Sequence, residues 1–114
     1  MAEGYLAKLK GVPGLTLPFV PSWADPVWHL FVVRHPQRDA FQERLTQAGI
    51  GTLIHYPVPP HLSGAYADAG FKPGAFPLAE AMANSVLSLP IGPHLAAEQA
   101  DQVVKETSRA SEAK

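Results

Sequence analysis

The stretch Trp28-His29-Leu30-Phe31-Val32-Val33-Arg34, followed after a short break by Asp39-Ala40-Phe41-Gln42-Glu43-Arg44-Leu45-Thr46-Gln47-Ala48-Gly49, decides the fold class. From Val27 to Arg34 the side chains alternate, with Trp28, Leu30 and Val32 on one face and Val27, His29, Phe31 and Val33 on the other. Period-two alternation marks a strand, and apolar residues on both faces predict a central, covered one. The second stretch changes period. Phe41, Leu45 and Ala48 recur at helical spacing, Asp39 is placed to cap the first turn with Gln42 at the capping-box position, and Gly49 supplies the stop. A strand feeding an amphipathic helix within 114 residues predicts a single α+β domain.

Toward the N-terminus, Leu15–Val20 alternates loosely between Pro13-Gly14 and Pro21. Pro18 and Pro21 confine it to a sheet edge. Met1–Lys10 carries Tyr5, Leu6 and Leu9 at helical spacing and is stopped by Gly11 and Pro13-Gly14. Such a piece is too short to hold alone in water, so it either packs on something or is the tail of a longer helix cut off upstream. Toward the C-terminus, Gly51–Tyr56 forms a further strand that Pro57, Pro59 and Pro60 end. His61 to Pro77 is irregular, with a short turn of helix near Gly64–Asp68. Leu78–Val86 reads as a helix with Leu78, Met82 and Val86 on one face, Leu87–Leu89 as a very short strand, and His94–Arg109 as the last helix with Ala96, Ala100, Val103, Val104 and Thr107 inward.

The expected architecture is a small antiparallel or mixed sheet with helices packed on one face, the other face being exposed or covered by a partner. Residues 1–13 form a helix remnant, 14–108 the domain, and 109–114 a polar tail that frays.

Composition narrows the function classes. Hydrophobic residues make up 46% and charged residues 17% of the chain, enough apolar surface for a core. A net charge of −1 with no block of like charge gives no footprint for nucleic acid or an anionic membrane. The absence of cysteine excludes disulfide scaffolds, thiolate zinc sites and cysteine nucleophiles. No apolar run approaches a membrane span and the N-terminus has no signal-peptide core, so a soluble, cytoplasmic protein is expected.

One segment gathers groups able to do chemistry: His55-Tyr56-Pro57-Val58-Pro59-Pro60-His61. The prolines hold the loop extended at low entropic cost, so imidazole and phenol groups can be presented to a ligand. In one reading His55, Tyr56 and His61 donate hydrogen bonds to phosphate or sugar oxygens. In the other it is a stiff surface loop with Tyr56 packed on the core. A third option joins His55 and His61 to His29, His35 or His94 as metal ligands, but the spacing matches no ligand pattern and no carboxylate lies between them. His29 fits better as a partly buried strand residue, and His35 and His94, each beside a proline, as turn or cap residues.

Other templates fail. Gly49-Ile50-Gly51 lacks the third glycine and the strand-before-helix context of a dinucleotide fingerprint. There is no phosphate-binding glycine loop, no nucleophile elbow around Ser63 or Ser88, and no zincin motif. Glu43 and Arg44 are expected to be solvated. Lys8, Lys10, Lys72, Lys105 and Lys114 lack the apolar surroundings that lower a lysine pKa for Schiff-base chemistry.

The segments Trp28–Arg34, Gly49-Ile50-Gly51-Thr52, His55-Tyr56-Pro57-Val58-Pro59, His61 and Leu87-Ser88-Leu89-Pro90, in that order, resemble the C-terminal small domain of the DegT/DnrJ/EryC1/StrS aminotransferases. Tyr5-Leu6-Ala7 and Gly14-Leu15-Thr16-Leu17-Pro18 look like that family's interdomain helix and first small-domain strand, and the likeness runs from about Tyr5 to Val104. It implies a small domain of the fold-type I kind. The family moves an amino group, commonly from glutamate, onto a keto sugar carried on a nucleotide diphosphate, using pyridoxal phosphate.

By the same resemblance the cofactor and its lysine belong to a large N-terminal domain. This chain is therefore expected to hold no cofactor and to show no transaminase activity by itself. His55, Tyr56 and His61 match the family's substrate loop, which closes over the active site, and are expected to contact the nucleotide sugar without covalent chemistry. A stand-alone nucleotide-sugar binding module, or a structural remnant that dimerises through an uncovered sheet face, are the alternatives.

Overall fold

The computed structural model describes residues 1–112. Along the chain run α1 (Ala2–Lys8), β1 (Phe31–Arg34), α2 (Arg38–Gln47), two short 3-10 helices (Pro60–Leu62 and Gly64–Ala69), α3 (Pro77–Ser85), β2 (Val86–Leu89) and α4 (Ala97–Glu112). The strands pair antiparallel, with Phe31 opposite Leu89, Val32 opposite Ser88, Val33 opposite Leu87 and Arg34 opposite Val86. This is an α+β domain built on a small antiparallel sheet.

Two single-residue bridges widen the sheet, Thr16 with Arg34 and Leu53 with Ser88. They are what remains of the strands expected over Leu15–Val20 and Gly51–Tyr56, and proline explains most of the shortening. The next antiparallel pairs around Thr16 and Arg34 would be Pro18 with Val32 and Gly14 with Pro36, and in each the proline has no N–H to give. On the other edge Pro90 blocks the pair with Gly51, while Tyr56, at φ +59°, turns the chain away beyond His55.

β1 is also shorter than its alternation predicts. Trp28 sits at φ +48°, which breaks the extended run three residues before the strand begins. Its ring turns onto Phe31, with centroids 5.4 Å apart, instead of sharing a face with Leu30 and Val32. Val27 is exposed.

The core lies on the face of the sheet that carries Phe31, Val33, Leu87 and Leu89. Tyr5 and Leu9 reach it from α1 and its end, Phe41 and Leu45 from α2, Val103 and Ala110 from α4. Each fully buried Phe or Leu contributes about 1.5–3 kcal/mol relative to exposure. Tyr5 meets Phe31 edge-on at 5.1 Å, and its hydroxyl donates to the Pro90 carbonyl at 2.7 Å. That burial pushes the Tyr5 phenol above its ordinary value. The short α1 is thus held by packing, as its length requires.

Helix ends are tied by side chains that composition does not single out. α2 starts at Arg38 with Gln37 as N-cap, two residues ahead of the expected cap Asp39, whose carboxylate instead accepts from Arg38 Nε at 2.7 Å. His35 is buried, stacks on Phe41 at 4.6 Å, and accepts the Gln37 N–H on Nδ1 at 3.0 Å, so it does serve the turn. Gly49, at φ +85°, closes α2 as expected. The Arg38 guanidinium is buried and donates to the carbonyls of Ala83 and Val86 at 2.9 and 3.0 Å, satisfying the C-terminus of α3.

Two expected faces are corrected. In α3 it is Ala83 that is buried, while Leu78 and Met82 are exposed and Val86 already belongs to β2. In α4 the inward residues are Val103, Thr107, Ala110 and Ser111, with Ala100 and Val104 partly buried and Ala96 outside the helix. The tail expected to fray from residue 109 is helical through Glu112. Arg44, expected to be solvated, donates to the Ala110 carbonyl at 2.8 Å, and Ser111 Oγ donates to the Pro13 carbonyl at 2.6 Å. Residues 113 and 114 lie outside the described residues.

Two stability predictions follow from these contacts. Tyr5→Phe leaves the Pro90 carbonyl without its donor and lowers stability by about 1 kcal/mol. Among the described residues Thr107 Oγ1 is the one fully buried side-chain oxygen or nitrogen with no hydrogen-bond partner. Thr107→Val should therefore raise stability by about 1 kcal/mol, since a buried orphan hydroxyl is costly. Urea midpoints of the two variants against the parent chain check both signs.

Candidate functional site

β2 is flanked on both sides, and the site grows from its middle residue. Ser88 donates its N–H to the Leu53 carbonyl at 2.8 Å and accepts the Leu53 N–H at 3.3 Å. Side chains two apart share a face of a strand, so His55 lies on the same side as Leu53 and Ser88. His55 Nδ1 is 2.7 Å from Ser88 Oγ. Ser88 is buried and His55 half-buried, and the ring's Nε2 makes no hydrogen bond among the described residues. The pair stands on a cleft of about 310 Å3 whose lining includes His29, Thr52, His55, Ser88, Pro90 and Ile91. His29, expected to be partly buried, is exposed at this cleft because the strand begins only at Phe31.

Tyr56 is 82% exposed, which removes the reading that packs it on the core. Its left-handed backbone costs about 1–2 kcal/mol for a residue with a Cβ, and a following proline disfavours helical backbone further. The strain throws the chain out of the sheet right after His55. Pro57 to Pro60 then carry it to the first 3-10 helix.

His61 is not brought together with His55 and Tyr56. It is 8% exposed and has its Nε2 3.1 Å from Glu80 Oε2. Its ring meets Phe76 at 4.8 Å and Phe71 at 6.3 Å, both edge-on, around a small apolar depression of about 180 Å3 lined also by Pro60 and Tyr66. Glu80, which sequence reasoning passed over, is the centre of this second cluster. Its carboxylate accepts the Gly74 N–H on both oxygens at 2.9 Å and the Phe76 N–H at 3.3 Å. The Gly74 N–H chiefly, with His61 and the Phe76 N–H adding, holds the Glu80 carboxyl below its ordinary value against partial desolvation. A signal was available in Glu80's place in the first turn of α3, within reach of the N–H groups that begin the helix.

Among the described residues no three His, Asp or Glu side chains gather as metal ligands, and no helix is long and apolar enough to cross a membrane.

The matching family model covers residues 1–108 and describes the DegT/DnrJ/EryC1/StrS aminotransferases. This chain belongs to that family. It is 60% identical over 104 residues to the erythromycin biosynthesis sensory transduction protein EryC1 of Saccharopolyspora erythraea, covering 91% of this chain and 28% of that protein. It is 52% identical over 104 residues to the dTDP-3-amino-3,4,6-trideoxy-α-D-glucose transaminase of Streptomyces venezuelae, covering 91% and 27%. Among solved structures, S. venezuelae DesV in complex with a ketimine intermediate superposes with a TM-score of 0.94 at 49% identity, over 99% of this chain and 30% of DesV. The chain thus spans under a third of the length of these relatives.

The family uses pyridoxal phosphate, and the residues described here do not fit that group. Lys8 is committed to Asp101 at 2.7 Å, and Lys10, Lys72 and Lys105 are exposed. None of them lines the His55 cleft, so no amine stands where an imine could form beside His55 and Ser88.

Glu80 yields a pH prediction. A carboxyl whose folded pKa is lowered adds stability above its ordinary value of 4.5, and that stability is lost as pH falls through the lowered value. Glu80→Gln should therefore be less stable than the parent chain at neutral pH, with the gap closing in acid. Urea midpoints of both proteins across that range check it, and a gap independent of pH would contradict it.

Proposed function

We propose that this chain supplies the substrate-contact segment of a nucleotide-sugar aminotransferase, with His55 and Tyr56 donating hydrogen bonds to oxygens of a nucleotide-diphosphate sugar. The observation that carries the reading is the His55–Ser88 contact. A ring pinned at Nδ1 by a buried hydroxyl offers Nε2 in one fixed direction, which suits an imidazole that orients an anionic or polyhydroxylated ligand. The Tyr56 hydroxyl stands exposed on a backbone that is strained into place, as ligand-contact residues often are. Membership of the family, and a 52% identical relative named for a dTDP-sugar transamination, support the substrate class.

In this reading His61 acts through the loop it anchors, since its Nε2 is taken by Glu80. The lysine and the cofactor-phosphate site belong to the part of such an enzyme outside the matched segment. Phe19, Trp23 and Val27, exposed along a proline-punctuated stretch, support a surface that further protein covers.

The test is a titration of the 15N-labelled chain with dTDP-glucose. Binding should shift the amides of Thr52, Leu53, His55 and Ser88, and the His55→Ala/Tyr56→Phe pair should weaken it about tenfold or more, as loss of hydrogen bonds to a charged group does. Absence of shifts, or equal affinity in the double variant, would count against the assignment. With pyridoxal phosphate, an amino donor and a keto sugar added, the chain by itself should show no turnover, and measurable amino transfer would overturn that division of labour.

A further inference from the structure

We propose that Glu80 is a positioning residue, the latch that fastens the loop between His61 and Phe76 to α3 and thereby sets the course of the chain leaving His55 and Tyr56. Its bearing on substrate rests on the reading of His55 and Tyr56 as sugar-nucleotide contacts. The latch itself rests on distances alone.

The core gives this loop almost no hold. Residues 64 to 78 are exposed throughout, and the 3-10 turns close only on themselves, through Leu62 N–H to Pro59, Ser63 N–H to Pro60 and Tyr66 N–H to Ser63 carbonyls. Among the described residues, the side-chain hydrogen bonds that tie the loop to the rest of the protein all end on Glu80. One carboxylate takes His61 at the loop's start and Gly74 and Phe76 at its end, and so closes the excursion like a buckle.

The geometry is specific to an ionised carboxylate. Three different groups donate to it, and only an acceptor-only side chain can receive all of them. Gly74, at φ +92°, adopts the backbone that aims its N–H at both oxygens. The position at the start of α3 adds the favourable end of the helix dipole. His61 is the one ionisable side chain within ion-pair distance of Glu80 among the described residues. The Phe71–Phe76 contact at 5.3 Å and the His61 ring pack into the closed loop, so aromatic packing and the latch reinforce each other.

A plain capping role for Glu80 would tie down only the first turn of α3. The two roles separate in amide exchange and proteolysis of Glu80→Gln. The latch predicts that the Gly74 N–H exchanges about tenfold faster or more, the loss expected for a charge-assisted hydrogen bond. Chymotrypsin should cut after Tyr66 and Phe71 faster by a similar factor, while the Val33 and Leu87 amides of the sheet keep their protection. Unchanged Gly74 exchange, or equal acceleration at Val33 and Leu87, would overturn the latch. Should the variant not fold, the parent chain decides. Its Gly74 and Phe76 amide proton shifts should follow one carboxylate titration below pH 4.5 while Val33 and Leu87 stay flat, and flat Gly74 and Phe76 curves overturn the proposal.

The dTDP-glucose titration is run in parallel on both proteins. Weaker binding in a folded Glu80→Gln supports the positioning role, and equal binding with a loosened loop overturns it. Lack of binding by the parent chain itself removes the substrate reading, and the exchange data then judge the latch alone.

Discussion

The arrangement depends on the rung at Ser88. A residue in an antiparallel strand points its N–H and C=O to the same side, and Ser88 spends both on Leu53. Leu87 and Leu89 must then turn theirs toward β1, which makes Phe31–Leu89 and Val33–Leu87 the hydrogen-bonded pairs and puts those four side chains on the core face. Arg34, bonding Thr16 through both its backbone groups, obeys the same alternation one strand over. The Ser88 hydroxyl is left on the opposite face, where His55 meets it. A slip of one residue in this register would move the leucines out of the core and Ser88 into it, so core packing and the orientation of the His55 ring are set by one pairing.

Proline decides how far that sheet extends, and its limits shape the site. Pro18 and Pro36 stop the ladder on either side of the Thr16–Arg34 bridge, and Pro90 stops it beside Leu53–Ser88. Edges reduced to single bridges offer little template for another strand. On the His55 side no proline blocks the next pair, and it is the left-handed backbone of Tyr56 that ends the ladder there and leaves Tyr56 exposed. A longer outer strand would have spent the His55 and Tyr56 backbone on sheet bonds and carried the loop along the edge.

The legible part of the molecule is the part governed by local period. β2, α2 with Phe41 and Leu45 inward, the glycine stop at Gly49 and the packing of the short N-terminal helix through Tyr5 and Leu9 all follow from spacing. The rest turned on contacts distant in sequence. Leu78 and Met82 lie on a good apolar stripe, yet α3 buries Ala83 because its C-terminus is pulled onto the Arg38 guanidinium. The end of α4 stays helical because Arg44 and Ser111 find carbonyls far along the chain. Trp28 leaves its face through one positive φ that alternation does not encode. At the site, the His-Tyr-Pro segment was legible as a candidate, whereas Ser88 entered only as part of the short Leu87–Leu89 strand and as a rejected nucleophile elbow, and Glu80 was passed over. Only folding places them against His55 and His61.

The two histidines illustrate why identity in a motif is a weaker guide than environment. Both lie in one proline-rich stretch, and the same imidazole is put to different uses. His55 has one nitrogen pinned by a neutral hydroxyl and the other without a partner among the described residues, an arrangement that keeps hydrogen-bonding capacity for a ligand. His61 is buried among aromatic rings with its Nε2 against a carboxylate, so recruiting that nitrogen for a ligand would take the imidazole from the Glu80 carboxylate and leave that carboxylate with only the Gly74 and Phe76 N–H groups. Giving up a charge-assisted cluster costs more than a single new hydrogen bond returns, so His61 is the better fastener and His55 the better contact. The sheet therefore holds the His55 ring and α3 holds the loop that begins at His61, with Pro57, Pro59 and Pro60 between them.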